Sequence, residues 1–182
     1  MRPSNITALI AILLILGGYL YLTSMPVPPP KEDPQLFVWL IEMEEIQHIV
    51  INLPREGKSQ SFIKEEDRSW HFDDAERSPV DMQRWGGGIP LLLSGPSTNR
   101  LISANTSEEK LIEFGLMEPL MEVTLTLEND EVLAIKVGDN TPNSTNHYVQ
   151  APGSTDVALV DYTWYNEIAR LVREPPYIST PD

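Results

Sequence analysis

The order of patterns along this chain predicts an α+β fold: a single N-terminal transmembrane helix, then an antiparallel-sheet domain with a few helices packed on one face. Three observations carry that prediction. Short runs of alternating apolar and polar residues recur, separated by turn residues rather than by long crossover helices, which makes the strands antiparallel neighbours. Two stretches with helical spacing, around Trp85 and Trp164, follow such runs. One uncharged stretch, Ile6 to Leu22, precedes them all.

Ile6 to Leu22 reads ITALIAILLILGGYLYL. At about 1.5 Å per residue it spans roughly 26 Å as a helix, enough to cross a thin hydrocarbon core, so residues 1–25 are expected to anchor the chain in the lipid bilayer. Arg2 is the only charged side chain before it, and Lys31, Glu32 and Asp33 follow well after. Positive-inside bias then leaves the N-terminus in the cytoplasm and the bulk of the chain outside the cell membrane. Leu22-Thr23-Ser24-Met25 offers no small-x-small cleavage site, so a retained anchor is expected over the rival reading, a cleaved secretory signal, and either exports the domain. Tyr19 and Tyr21 fall at headgroup level, and Gly17-Gly18 leave room for a second helix. Ile6, Leu13, Gly17, Gly18, Tyr19, Tyr21 and Leu22 are therefore the candidate anchor and helix-contact residues.

Met25 to Pro34 holds five prolines in ten residues, and residues 26–35 are expected to form a stiff extended stalk. Residues 36–182 have the size of one ordinary domain, whose repeated order of hairpins and helix suggests two similar halves, about 36–104 and 105–182. With Arg2 set aside, 12 basic residues stand against 27 acidic ones, a formal charge of −15. That balance argues against nucleic acid as a partner and suits a basic one or solubility alone. The absence of cysteine excludes disulfides, thiolate metal sites and cysteine nucleophiles.

Within the domain, Leu36–Ile41 and Ile46–Leu53 read as strands, the second by alternation of Ile49, Ile51 and Leu53 with His48, Val50 and Asn52. Ser59–Lys64 and Ser69–Phe72 form a hairpin through the charged turn Glu65–Arg68. Ser78-Pro79 signals a helix start, with Asp81 in its first turn, and Met82, Trp85, Ile89, Leu92 and Leu93 continue it as a helix broken by Gly86-Gly87-Gly88 and Pro90. Ser94-Gly95-Pro96 ends it, and Arg100–Ser103 is a short strand. Thr106-Ser107-Glu108-Glu109 has capping-box spacing for a helix over Glu108–Phe114 that stops at Gly115. Met121–Leu127 and Val132–Val137 alternate around the Asn129-Asp130 turn. Gly138–Asn146 is read as a polar loop, His147–Gln150 and Val157–Val160 as strands, and Tyr162–Val172 as a closing helix. Phe37, Trp39, Trp85 and Trp164 are expected in the core.

The candidate chemistry is sparse. His48, His71 and His147 lack metal-ligand spacing, so no metal or other cofactor is expected. His71, Asp73, Asp74 and Glu76 are the densest titratable cluster, open to a calcium or general-base reading or to that of a solvated turn. No phosphate loop, dinucleotide fingerprint or nucleophile elbow is present. Trp39, just beyond the stalk, and Asp139, Asn140 and Thr141 in the polar loop are the candidate partner contacts.

Phe114-Gly115-Leu116-Met117-Glu118-Pro119 resembles the Tyr/Phe-Gly-Leu-x-x-Pro signature of a bacterial family known only as domain of unknown function four-three-four-zero. The alternating strand Val123–Leu127, the Val137-Gly138-Asp139-Asn140-Thr141-Pro142 segment, Tyr148-Val149, Ala158–Asp161 and Trp70 fall in that family's order. The resemblance implies a membrane-anchored, envelope-facing protein, some relatives being similar to accessory components of gliding-type ABC exporters, and it implies no established activity. The resulting expectation is a non-catalytic single-pass accessory subunit whose exported acidic domain docks on and stabilises a larger membrane protein complex. The alternative is a membrane-tethered protein that binds an envelope ligand or polysaccharide beside an ABC transporter. An envelope hydrolase using His71, Asp73 and Asp74 is the third reading.

Overall fold

The computed structural model describes residues 12–20, 36–98 and 100–178, and it divides into two units, Met1–Pro34 and Gln35–Asp182. In the first, residues 12–20 are helical (α1), with Leu13, Gly17 and Tyr19 on it. Ile6, Tyr21, Leu22 and the stalk lie outside the described residues. Among the described residues no helix is long and apolar enough to cross a membrane.

The second unit is built on an antiparallel sheet of eight strands. In chain order its strands are β2 (Ile46–Leu53), β3 (Lys58–Lys64), β4 (Trp70–Phe72), β6 (Leu101–Ser103), β7 (Met121–Leu127), β8 (Val132–Asn140), β9 (Asn146–Gln150) and β10 (Val157–Asp161). They are arranged β4-β3-β2-β7-β8-β9-β10-β6, and β1 (Leu36–Phe37) pairs separately with β5 (Ser97–Thr98). β2 and β7 are therefore neighbours at the centre, in register from Ile49 opposite Leu125 to Asn52 opposite Glu122. β7 throughout and β2 from Ile49 onward carry a period-2 burial pattern, because core-facing residues must leave water while the alternate ones need not.

The helices are α2 (Met82–Trp85), α3 (Ile89–Ser94), α4 (Glu108–Glu113) and α5 (Tyr162–Arg173). α5 starts where β10 ends, with Asp161 as its N-cap accepting the Thr163 amide at 2.7 Å. Its Trp164, Tyr165, Ile168, Ala169, Leu171 and Val172 are buried against the sheet. It touches β9 and β10 and also β2 and β3, so one helix joins the core of both sequence halves. At its far end the Arg173 guanidinium meets Glu56 at 2.6 Å, and that hydrogen bond holds the Glu56 carboxyl below the usual carboxylate range. Trp85, 1 % exposed, fills the core beside Phe62 (4.7 Å between ring centroids) and Trp70 (5.5 Å).

Several sequence expectations are corrected. The first helix after β4 begins at Met82, not at Ser78-Pro79: Asp81 is the N-cap, receiving the amides of Gln83 and Arg84. Ser78 and Val80 instead bond to Phe72 and Trp70, and this extended segment covers the edge of β4. The broken-helix expectation holds, as α2 and α3 are separate. Of the strand expected over Leu36–Ile41 only Leu36–Phe37 forms, and Phe37 is 45 % exposed rather than core. Ser107 caps α4 without a side-chain hydrogen bond, so no capping box closes. Gly138, Asp139 and Asn140 belong to β8, which is irregular between Val137 and Asn140. Finally, α4 is not on the face of α5: its C-cap Phe114 stacks on Tyr148 at 4.4 Å, and Tyr148 alternates along β9 with the buried His147 and Val149.

Candidate functional site

The residues of the Phe114–Pro119 signature converge with those of the Val137–Pro142 segment. α4 ends in a Schellman motif: the Leu116 amide donates to Leu111 O at 2.8 Å and the Gly115 amide to Ile112 O at 3.0 Å. Gly115 has φ +69°, which only glycine adopts without strain, and Leu116 is then turned inward to 1 % exposure. The turn is docked on β8 by the Asp139 amide, which donates to Phe114 O at 2.9 Å, and by the Leu120 amide, which donates to Val137 O at 2.8 Å. A Cβ on Gly138 would stand 2.1 Å from Phe114 O, so the two backbones meet there only because position 138 has no side chain.

Arg55, just after β2, closes this junction. Its Nε and one terminal nitrogen donate to Glu118 O at 2.9 and 2.6 Å, and the other terminal nitrogen meets Asp139 Oδ1 at 2.7 Å. A planar guanidinium suits this task because its donors diverge in one plane. Beside it, Pro54, Met117, Glu122 and Lys136 line an open polar groove of about 470 Å³. Asp139 thus turns to Arg55. Asn140 is exposed on the strand, whereas Thr141 is 9 % exposed and its hydroxyl donates to Asn143 Oδ1 at 2.7 Å. The three do not form a cation cradle, and among the described residues no group of three or more His, Cys, Asp or Glu is placed to hold a metal ion. Trp39 lies elsewhere, its indole N–H donating to Leu93 O at 2.9 Å and its ring edge-on to Trp164 at 6.0 Å.

His71, Asp73 and Asp74 are not brought together. Asp74 Oδ1 accepts the amides of Glu76 and Ser78 at 3.1 and 3.2 Å, which holds its carboxyl below the ordinary range, and His71 faces Ser69. Asp73 instead meets His48 and Ser61, a cluster that sequence reasoning missed. The register contained the signal, since His48 and His71 both pair with Ile63, and Ser61 and Asp73 lie two residues further along the same face.

This Ser-His-Asp group is not a relay. Ser61 Oγ (2.8 Å) and Asp73 Oδ2 (2.9 Å) contact the same imidazole nitrogen, Nε2, whereas a relay needs the carboxylate on one nitrogen and the hydroxyl on the other. When Nε2 donates its proton to Asp73 it has no lone pair with which to deprotonate Ser61. Asp73 also holds Arg77 at 2.8 Å.

His147 is 1 % exposed, its Nδ1 donating to Gly138 O at 3.1 Å and its ring lying 4.1 Å from that of Tyr165. Its Nε2 is buried with no partner among the described residues. Burial pushes its pKa below the ordinary value, so the imidazole is held neutral. It clamps the irregular part of β8 to β9.

Comparison with known proteins matches residues 93–172 to a family model described as Domain of unknown function (DUF4340). No curated protein and no solved structure matches the chain. Phe114–Pro119 and Val137–Pro142 both lie inside the matched span and pack on each other, and over that span the chain is similar to the DUF4340 family.

Proposed function

We propose that the chain is a non-catalytic, single-pass membrane accessory subunit, N-terminus inward, whose exported acidic domain docks on and stabilises a larger membrane complex. The observation that carries this reading is the uncharged run Ile6–Leu22, joined through a proline-rich stem to a domain of strongly negative charge. Two features of the domain support it. The signature residues Gly115, Gly138 and Asp139 are used in internal contacts; Ser61, beside His48 and Asp73, lacks an accepting nitrogen, and Ser69, beside His71, donates its hydroxyl to Asp67 Oδ1 at 2.5 Å. On α1, a Cβ at Gly17 or Gly18 would meet nothing within 4 Å, which leaves a surface that a second helix can approach closely.

The test is mild solubilisation of native membranes in detergent, native-size separation, and identification of whatever migrates with this 20.5 kDa chain. Migration at several hundred kDa with defined partners is expected; migration as a free monomer would sink the reading. Gly17→Leu should weaken co-purification, and unchanged co-purification would remove the helix contact from the proposal.

A further inference from the structure

Two adjacent crevices, of about 430 and 460 Å³, share Trp39 and Pro152 in their linings and are taken together as one groove. On one side of Trp39 its floor is Leu40, Ile41 and Leu133, and on the other it is Phe37, Val38 and Leu101. These are unusual residues to leave in water: Leu40 is 71 % exposed, Leu101 53 % and Phe37 45 %. Trp39 itself is fixed by its bond to Leu93 O, so the groove has a rigid centre.

The charges of the groove all have one sign. Glu42, Glu45 and Glu131 stand along the first crevice and Asp156 along the second, and no Lys, Arg or His lines either. Among the described residues none of these four carboxylates makes an ion pair. Asp156 is instead held in place as an acceptor of the Asn105 amide at 2.8 Å. Leu101 belongs to β6, the outermost strand of the sheet.

We propose that this groove is the docking site for an extended segment of a partner protein, basic and aliphatic by turns, whose apolar side chains enter the floor while its cations meet Glu42, Glu45, Glu131 and Asp156. The proposal rests on the subunit reading and gives the partner's contact its chemistry. Charge selects this occupant. A second copy of the chain, with a formal charge of −14, brings the wrong sign, as does an anionic lipid surface.

The test uses the full chain, ¹⁵N-labelled in a non-ionic detergent, titrated with a capped peptide of alternating leucine and lysine, about eight residues long and so roughly 27 Å when extended. The expected result is a shift of the Trp39 indole N–H and of the amides of residues 37–45 and 151–156, with affinity falling steeply as salt is raised. The double variant Glu42→Lys, Glu131→Lys should bind about tenfold more weakly or worse, and Leu40→Ser should also lose affinity. Leucine–glutamate and leucine–serine peptides should leave these resonances in place. Shifts confined to other residues, equal binding of the glutamate peptide, or undiminished affinity in the double variant would each overturn the proposal. The two readings fail separately. Co-migration with a large complex that is unaffected by the double variant removes the groove and keeps the subunit; peptide binding in the groove by a chain that migrates alone in native membranes does the reverse.

Discussion

Replacing Gly138 by alanine tests whether the junction between the α4 turn and β8 is held by close backbone approach. The added Cβ would lie 2.1 Å from Phe114 O and 3.1 Å from Leu116 Cγ, where ordinary contact begins at 3.4 Å. The nearest atom is backbone, so no rotamer change relieves the clash, and the two chains must separate by about 1 Å. Overpacking of this kind costs about 1–3 kcal/mol. Separation also loses the Asp139 N–H to Phe114 O hydrogen bond, at about 1 kcal/mol. The expected loss is thus about 2–4 kcal/mol, a large part of the roughly 5–15 kcal/mol that holds a domain folded. It is read from urea unfolding of the full chain in non-ionic detergent by tryptophan fluorescence, as a lower midpoint at constant slope. Gly87→Ala is the control, because a Cβ there meets nothing within 4 Å, and it should change stability by no more than about 0.5 kcal/mol. A loss at Gly138→Ala as small as that of the control would refute the close-approach argument.

Other substitutions reach the same network from different sides. Arg55→Met removes both bonds to Glu118 O and the pair with Asp139; the groups are 39 % and 45 % exposed, so the cost should be about 1 kcal/mol, with faster amide exchange over residues 114–120. Asp161→Ala removes the N-cap of α5 and should cost about 1 kcal/mol in the same urea assay. For His147 the unfolded chain takes up a proton near pH 6.5 and the folded chain only at lower pH, so between these two values the unfolded state binds more protons and stability rises with pH. Its contribution is complete above about pH 6.5 and is lost as pH falls through the folded value, with a slope of at most about 1.4 kcal/mol per pH unit. His147→Phe should flatten that window, and identical pH profiles for the two proteins would refute the assignment.

β2, β7 and α5 could be read directly from the residues because each buries one face. A period of two or of 3.6 is the imprint of that burial, and Ile49, Val123 and Ile168 all mark it at 0 % exposure. Ser78-Pro79 misled for the opposite reason. It is a good local helix start, yet the edge of β4 needed covering, and two backbone hydrogen bonds to Trp70 and Phe72 outweighed the local preference. Gly138-Asp139-Asn140 has turn composition, and here the pairing of Asn140 with His147 and the bond from the Asp139 amide to Phe114 O overrode it. The partner of Asp139 was beyond any local pattern, since Arg55 is 84 residues away in the chain. The signature itself was visible as a motif, but its purpose emerges only where the two glycines face each other's chains. Gly115 and Gly138 let two backbones meet, and Asp139 and Arg55 hold them there, so their identity constrains the scaffold and leaves its exposed surfaces free to differ. Recognition specific to this chain should therefore be sought outside the signature. The apolar, one-signed groove around Trp39 lies outside Phe114–Pro119 and Val137–Pro142, and of its lining only Leu127 and Ala158 fall in other segments of the resemblance.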